Sequence, residues 1–323
     1  MSAIQLSTVT KRFGDIEAVR ELDLTVEAGE IYGFLGPNGA GKSTTINMLL
    51  DFVRPTSGTI TVLGEPVDVA GAGLRERIGV LPEGFDVYDR LTGRKHIEFA
   101  VDSKGADDDP EAILDRVGLG EAADRPAGGY SKGMRQRLAL GVALVGEPDL
   151  LILDEPSTGL DPGGAKEMRD IVRQEANRGA TVFFSSHVLG QVEAVCDRVG
   201  ILHEGELVTE DSIEGLREAS DNEATLILTV DDATDDDLDP IRRLDGVSGA
   251  AVDGTMVTVS CESSTKTEVI STLGEAGIEI RDIETESTSL EELFLSHTDG
   301  EGVVEREDGG TETADVVAPE GGR

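Results

Sequence analysis

The chain of 323 residues contains no tryptophan, and aromatic residues make up only 3% of it. Hydrophobic residues nevertheless account for 38%, so we expect a globular protein with an aliphatic core. The only two cysteines, Cys196 and Cys261, lie far apart and form no CxxC pattern. A disulfide framework or a zinc site is therefore not expected, and both thiols should be reduced and lie in the core.

Positive charge is also scarce. Lys and Arg number 28 against 65 Asp and Glu, which gives a formal net charge of -37. Such dense negative charge is tolerable where concentrated salt screens it, so the surface is typical of a halophilic protein. The same charge argues against nucleic acid as a partner and against an electrostatic attraction to anionic lipid.

Long apolar runs are absent as well. No run approaches the roughly 18 residues that a bilayer-spanning helix requires. The start, MSAIQLSTVTKRFG, lacks the apolar segment of a signal peptide. We therefore expect a soluble, cytoplasmic chain whose role at a membrane, if it has one, arises through a partner.

Apolar strand-like runs alternate with helical stretches up to about residue 218. This alternation predicts an α/β fold with a parallel sheet and helices on both faces. Residues 91–119 look helical around an acidic loop, ADDDP, and predict a helical subdomain inserted at about 85–145. The strand-like runs are IYGFL (31–35), GTITVLG (58–64), LLILDEP (150–156) and ATVFFSSH (180–187).

Beyond about residue 217 the sequence predicts a second, smaller domain and a tail. A break near residues 217–224 ends a first domain of residues 1–220. The order β-α-β-β-α-β then predicts a small ferredoxin-like domain over 221–298. Its closing helix would be SLEELFLSH, with Ser289 as N-cap and Glu292 three residues on. Residues 299–323 are rich in Gly, Glu, Asp and Thr, which predicts a disordered acidic tail.

A phosphate-binding pattern follows the strand IYGFL. The segment GPNGAGKST fits G-x-x-x-x-G-K-[ST] and stands between a predicted strand and a predicted helix, as the pattern requires. Its glycines let backbone N–H groups surround phosphate oxygens at a helix N-terminus. Lys42 would neutralise the β- and γ-phosphates, and the Ser43 hydroxyl would ligate Mg²⁺. The loop comprises Gly36, Pro37, Asn38, Gly39, Ala40, Gly41, Lys42, Ser43 and Thr44.

Two acids end the strand LLILD. Asp154 is its last residue and Glu155 follows, at the carboxyl end of a predicted parallel strand, beside the nucleotide crevice. We expect Asp154 to hold Mg²⁺ and Glu155 to orient or deprotonate an attacking water. Together with the phosphate loop, the pair indicates a nucleotide hydrolase.

Further motifs narrow this class. YSKGM (130–134) precedes the acidic strand, STGLD (157–161) follows the acidic pair, and His187 closes the strand FFSSH. In this order the motifs resemble those of the nucleotide-binding domain of ABC-type ATPases, over about residues 3–220. The resemblance implies that Phe13 stacks on adenine and that His187 contacts the γ-phosphate. It also implies that Ser131 and Gly133 contact a nucleotide bound by the opposite subunit, and that Asp161 lies at the dimer interface.

The chain departs from the family pattern at two places. The usual signature is L-S-G-G-Q, but here Tyr130, Lys132 and Met134 replace Leu, the first Gly and Gln. The glutamine-loop position holds Glu83, which can still ligate Mg²⁺ or a water but adds negative charge near the γ-phosphate. These variants, with a C-terminal appendage, resemble the branch of ABC ATPases that serve as separate subunits of exporters.

The resemblance implies an ATPase that dimerises around two ATP molecules and drives a separate transmembrane permease. The second nucleotide-binding subunit would be an identical or a related chain. An alternative is a soluble ABC ATPase that acts on ribosomes or DNA. The single set of motifs, the lack of heptads and the acidic charge oppose it. A second alternative, a regulatory module that hydrolyses ATP poorly, is opposed by Asp154, Glu155 and His187.

Overall fold

The computed structural model describes residues 1–287. The predicted closing helix at 289–297 and the predicted acidic tail at 299–323 lie outside the described residues. The strands are β1 (Ser2–Phe13), β2 (Ile16–Glu27), β3 (Ile31–Leu35), β4 (Ser57–Val62), β5 (Glu65–Pro66), β6 (Ile78–Leu81), β7 (Leu150–Asp154), β8 (Thr181–Ser186), β9 (Arg198–His203), β10 (Glu206–Ser212), β11 (Glu223–Val230), β12 (Val247–Asp253), β13 (Met256–Glu262) and β14 (Ile280–Ser287).

The helices are distributed between these strands. No helix among residues 1–287 combines the length and the apolarity that crossing a bilayer requires. The α-helices are α1 (Lys42–Leu49), α2 (Ala72–Glu76), α3 (Gly93–Lys104), α4 (Pro110–Arg116), α5 (Lys132–Leu144), α6 (Pro162–Asn177), α7 (Leu189–Glu193), α8 (Ile213–Asn222) and α9 (Lys266–Glu275).

A six-stranded sheet forms the centre of the structure, in the order β10-β9-β3-β8-β7-β6. Strands β9, β3, β8, β7 and β6 run parallel, and only β10 is antiparallel to its neighbour. Every residue of β3, β7 and β8 is buried, as expected for parallel strands that are covered on both faces. The predicted parallel-sheet α/β fold is confirmed.

A second sheet was not predicted. It has the order β2-β1-β4-β5 and is antiparallel throughout. The expectation that residues 58–64 join the parallel sheet is wrong, because β4 pairs with β1 in antiparallel register. The missed signal is the alternation Leu22, Leu24, Val26 in β2, where buried and exposed residues alternate as in a half-buried antiparallel strand.

The two faces of the central sheet are covered differently. On one face, Ile31 and Leu35 of β3 belong to an apolar cluster with residues of α3, α4 and α5. On the other, Tyr32 and Phe34 belong to a cluster with α1 and the antiparallel sheet. Cys196 and Cys261 are both free and buried, which confirms the expectation of two core thiols.

Helices α3, α4 and α5 lie between β6 and β7 in the chain and begin at well-formed caps. The side chains of Thr92, Asp109 and Ser131 each accept a hydrogen bond from a backbone N–H in the first turn. Pro110 occupies the first position of α4, where its missing N–H costs nothing. The capped turn at Ser131 is therefore well defined by local interactions.

The C-terminal sheet has the order β12-β13-β11-β14 and is antiparallel. This strand order is that of a ferredoxin-like unit. The first predicted helix of the unit is instead two 3₁₀ turns, Asp235–Leu238 and Ile241–Arg243, separated by Pro240. The predicted boundary near residues 217–224 falls where α8 ends at Asn222 and β11 begins at once.

Candidate nucleotide-binding site

The site lies where three neighbouring parallel strands end. Because β8 lies between β3 and β7, their carboxyl ends are adjacent. Gly36, which follows β3, therefore lies on one side of the end of β8. The acids at the end of β7 lie on the other side of β8. In open α/β sheets, ligands bind in the crevice at this edge of the strands.

The phosphate loop closes tightly around Lys42. The Lys42 Nζ donates to the carbonyl oxygens of Gly36 at 2.6 Å and Pro37 at 3.2 Å. Gly39 and Gly41 adopt positive φ of 87° and 111°, which turns successive N–H groups in the way that glycine allows. A Cβ on Gly41 would lie 2.5 Å from the carbonyl oxygen of Ala18, so only glycine fits there. The loop leads directly into α1.

The loop is also fastened to the central sheet. The Gly36 N–H donates to the carbonyl oxygen of Ser186 at 3.2 Å, and the Gly205 N–H donates to that of Ala40 at 2.9 Å. Ala40 is buried, whereas Ser43 is exposed and Thr44 half-buried. The backbone of the loop is thus held in place, and its hydroxyl groups are open to a ligand.

The two acids of the β7 end are both buried. The Ser185 hydroxyl donates to Asp154 Oδ1 at 2.5 Å, and the Glu155 N–H donates to the Ser185 Oγ at 3.1 Å. Glu155 has φ of +50°, an uncommon conformation for a side chain of this size. Burial raises the pKa of Asp154, and the hydrogen bond from Ser185 opposes that rise.

The Glu155 carboxylate connects the acids to the phosphate loop. Its Oε1 and Oε2 each lie 2.9 Å from His187 Nδ1, and Oε1 lies 3.7 Å from Lys42 Nζ. The Thr158 hydroxyl donates to Oε2 at 3.1 Å. Burial lowers the pKa of Lys42, and the nearby Glu155 and Asp154 oppose that fall. A cation, an acid and a histidine thus meet beside the loop.

A cleft of about 360 Å³ opens onto this cluster. Glu83, Lys42 and Glu155 present charged groups to it, and Ser43 a hydroxyl. The full lining comprises Ala18, Pro37, Asn38, Gly39, Gly41, Lys42, Ser43, Thr44, Glu83 and Glu155.

Known proteins resemble this chain over the same region. The ABC transporter family model matches residues 19–158, from within β2 to the residues that follow the acids. The bacitracin transport ATP-binding protein BcrA of Bacillus licheniformis is 42% identical over 220 residues, which cover 66% of this chain and 71% of the relative. The linearmycin resistance ATP-binding protein LnrL of Bacillus subtilis is 32% identical over 304 residues, 91% of this chain and 98% of the relative.

The chain belongs to the ABC transporter family. It is an ATP-binding, ATP-hydrolysing subunit of that family. The Nod factor export ATP-binding protein I of Burkholderia lata is 39% identical over 224 residues, 68% of this chain and 74% of the relative. A solved ATP-binding subunit of an ABC transporter superposes with a TM-score of 0.61 and 26% identity, over 68% of this chain and 93% of that one.

Not every predicted site residue of this ABC ATPase lies at the cleft. Phe13 ends β1, is 49% exposed and has Lys11 Nζ 4.8 Å from its ring centroid. Ser131 and Gly133 lie at the start of α5, away from the cleft lining. Asp161 is the N-cap of α6, where its Oδ1 accepts from the Gly164 N–H at 2.7 Å.

The basic residues around the signature turn have different surroundings. Arg135 contacts Asp89 at 3.5 Å and donates to the Gly128 carbonyl. Arg137 donates to carbonyl oxygens at the end of α4. Both arginines therefore attach α5 to neighbouring segments. Lys132 is exposed, and its Nζ lies against Gly159, which has φ of +68°. A Cβ added to Gly159 would collide with that ammonium group.

The family pattern did not single out Ala18, Thr158 or Ser185, which the structure places at the site. Ala18 comes from β2, a strand of the sheet that the sequence analysis missed. Thr158 stood inside the recognised STGLD segment. Ser185 belongs to the fully buried strand β8, TVFFSS, and a run of hydroxyl residues at the end of a buried strand was a usable signal.

The oxygen donors at the cleft fit Mg²⁺, which prefers a few carboxylates together with the oxygens of a bound phosphate. The Ser43 hydroxyl and the Glu83 carboxylate line the cleft, and the buried Asp154 carboxylate, which does not line it, interacts electrostatically with Glu83 and Lys42. Within residues 1–287, no group of three or more His, Cys, Asp or Glu could hold a metal ion by itself.

Proposed function

We propose that this ABC ATPase binds ATP with Mg²⁺ and drives a separate transmembrane permease in the direction of export. The single observation that carries the catalytic part is the contact of Glu155 with both His187 and Lys42 beside the phosphate loop. The export direction draws on the names of relatives, which include a Nod factor export protein and a linearmycin resistance protein. Through the permease, the subunit would lie at the cytoplasmic face of the membrane.

The binding roles follow from the geometry. The backbone of Gly36–Thr44 would surround the phosphates, with Lys42 as the cation that faces them. Ser43, Asp154 and Glu83 would hold Mg²⁺, which supplies charge neutralisation at the phosphates. Phe13, whose ring is half exposed at the end of β1, would stack on the adenine.

The catalytic roles fall to the pair that is already in contact. Glu155 would accept a proton from the attacking water, since its carboxylate is buried, lies beside the loop and has acceptor capacity. His187, whose Nδ1 lies 2.9 Å from that carboxylate, would hold Glu155 and contact the γ-phosphate through its other ring nitrogen. Glu155 would thus transfer a proton, and His187 would donate or accept hydrogen bonds.

The signature residues would act in a dimer. Ser131 and Gly133 do not line the cleft of their own chain, so they are free to complete the site of a second subunit, identical or related. Asp161 would lie at the same interface. The nucleotide-binding domain would span residues 1–220 with its helical subdomain at about 85–145, followed by an accessory domain at 221–298 and a tail at 299–323.

Two substitutions of Ser131 test this dimer. Asp and Asn both retain an N-cap acceptor for α5, so helix stability should change little. Asp adds a negative charge facing the partner's phosphates, and we expect ATP-dependent dimerisation to be lost in Ser131→Asp but retained in Ser131→Asn. Light scattering after size exclusion, with a slowly hydrolysed ATP analogue, measures the dimer. Equal dimerisation of the two variants would contradict the role of Ser131.

Glu83 gives a separate prediction about charge. It is an exposed carboxylate at a cleft that Glu155 also lines. Glu83→Gln should strengthen ATP binding without Mg²⁺ by about 1.4-fold to fivefold, because a partly screened charge contributes roughly 0.2–1 kcal/mol. Titration of a fluorescent ATP analogue in EDTA measures this.

Asp86→Asn is the matched control for Glu83→Gln. Asp86 is exposed in the same segment, but it lies 3.9 Å from Arg135 and does not line the cleft. Its substitution should leave ATP affinity unchanged. An equal gain in both variants would mean that general charge, not the position of Glu83, sets the affinity.

A further inference from the structure

The hydroxyl of Ser185 joins the two acids of the site. It donates to Asp154 Oδ1 at 2.5 Å and accepts from the Glu155 N–H at 3.1 Å. A hydroxyl has one proton, and an ionised carboxylate can only accept, so both directions of this bridge are determined. Ser185 is fully buried, so bulk solvent does not reach its hydroxyl.

The strand register explains why Ser185 reaches both acids. Ser185 pairs with Asp154 on β7 and with Phe34 on β3, so it lies in the central strand between the acids and the phosphate loop. The next residue, Ser186, accepts from the Gly36 N–H. The end of β8 is therefore the point to which both parts of the site are attached.

The backbone of Glu155 depends on the same hydroxyl. Its φ of +50° is a strained conformation for a glutamate and persists only where the surroundings impose it. The hydrogen bond from the Glu155 N–H to Ser185 is one such constraint. Loss of the hydroxyl would free the Asp154 carboxylate to rotate and would loosen the peptide that aims Glu155.

We propose that Ser185 is a positioning residue, which orients Asp154 toward Mg²⁺ and Glu155 toward the attacking water. This inference rests on the proposed binding of ATP with Mg²⁺ at the cleft. Residues that orient metal ligands typically change metal affinity or activity about 10–100-fold when they are removed. Ser185 would therefore act through the acids, without touching the nucleotide.

The test uses the full chain with Ser185→Ala and a matched control, Thr181→Val. Thr181 is a buried residue of the same strand, and its hydroxyl accepts from the Gly29 N–H at 2.9 Å, outside the site. Both variants lose one buried hydroxyl, so both should lower the melting temperature. If Ser185→Ala does not fold, Ser185→Cys keeps the volume and replaces the hydroxyl by a weak donor.

Two readouts separate positioning from stability. The first is the ratio of ATP-analogue affinity with Mg²⁺ to that in EDTA, and the second is the Mg²⁺ concentration that gives half-maximal ATPase activity. In Ser185→Ala we expect both quantities to change about 10–100-fold. The affinity ratio should fall, and the half-maximal Mg²⁺ concentration should rise. Thr181→Val should keep the parent values of both.

The outcomes distinguish the two proposals. If the parent chain binds ATP no better with Mg²⁺ than without it, the proposed function and this inference both fail. If the parent shows the Mg²⁺ effect and the Ser185 variants retain it in full, only the inference about Ser185 is overturned. An equal loss in Thr181→Val would also overturn it, because the effect would then reflect stability.

Discussion

Glu155→Gln should abolish steady-state ATP hydrolysis and leave ATP bound. A positioned general base contributes about 10²–10⁴-fold to a rate, and glutamine cannot take the proton. The amide can still accept a hydrogen bond from Thr158 and meet His187, so the local geometry should survive. We expect ATPase activity to fall by about that factor and the ATP-dependent dimer to accumulate, which phosphate release and light scattering would measure.

Glu30→Gln is the matched control for this prediction. Glu30 is also a mostly buried glutamate with a cationic partner, Arg198 at 3.0 Å, but it precedes β3 at the opposite edge of the sheet. Its substitution should lower the melting temperature and leave hydrolysis per folded molecule unchanged. Hydrolysis at the parent rate by Glu155→Gln would remove Glu155 from the catalytic role.

Lys42→Met should weaken ATP binding the most among single substitutions. Lys42 Nζ is buried and held by the Gly36 and Pro37 carbonyls, which point it into the cleft. Loss of hydrogen bonds to a charged group costs about 1.5–3 kcal/mol, so affinity for the ATP analogue should fall about 10–150-fold. The ATPase rate should fall further, because charge on the phosphates grows in the transition state.

Lys104 provides a close comparison. It is a second lysine whose ammonium donates to two backbone carbonyls, those of Ile78 and Val145, and burial likewise lowers its pKa. Lys104 lies away from the cleft, so Lys104→Met should destabilise the fold but keep the parent ATP affinity. If both substitutions weaken binding equally, the effect of Lys42 is structural.

The phosphate loop could be predicted from the sequence because its requirements are local. The sequence shows glycines, a lysine and a hydroxyl residue at fixed spacing, and two of these glycines adopt positive φ in the structure. The acids at the end of β7 could be predicted for a similar reason, since an apolar strand that ends in Asp154 and Glu155 is a sequence pattern. The residue roles assigned from the family pattern stay predictions.

The contacts between the parts of the site could not be predicted, because they depend on which strands are neighbours in the sheet. The contacts among Lys42, Glu155 and His187 exist because β8 lies between β3 and β7, an order that periodicity does not contain. Ser185 bonds to Asp154 only because the two residues are in register. Likewise, the position of Ala18 at the cleft required the antiparallel sheet, and the salt adaptation suggested by the charge remains a prediction.

The side chain of Lys132 extends toward Gly159, so two segments that are 27 positions apart in the chain approach each other there. One is the turn at the start of α5, and the other follows the acids. The φ of +68° at Gly159 is a backbone conformation that glycine adopts without strain, whereas a residue with a Cβ would be strained there. Lys132 is exposed, and the end of its side chain can rotate away from an added Cβ. The backbone conformation at position 159, and not the size of the residue at position 132, therefore sets which residues that turn can accept.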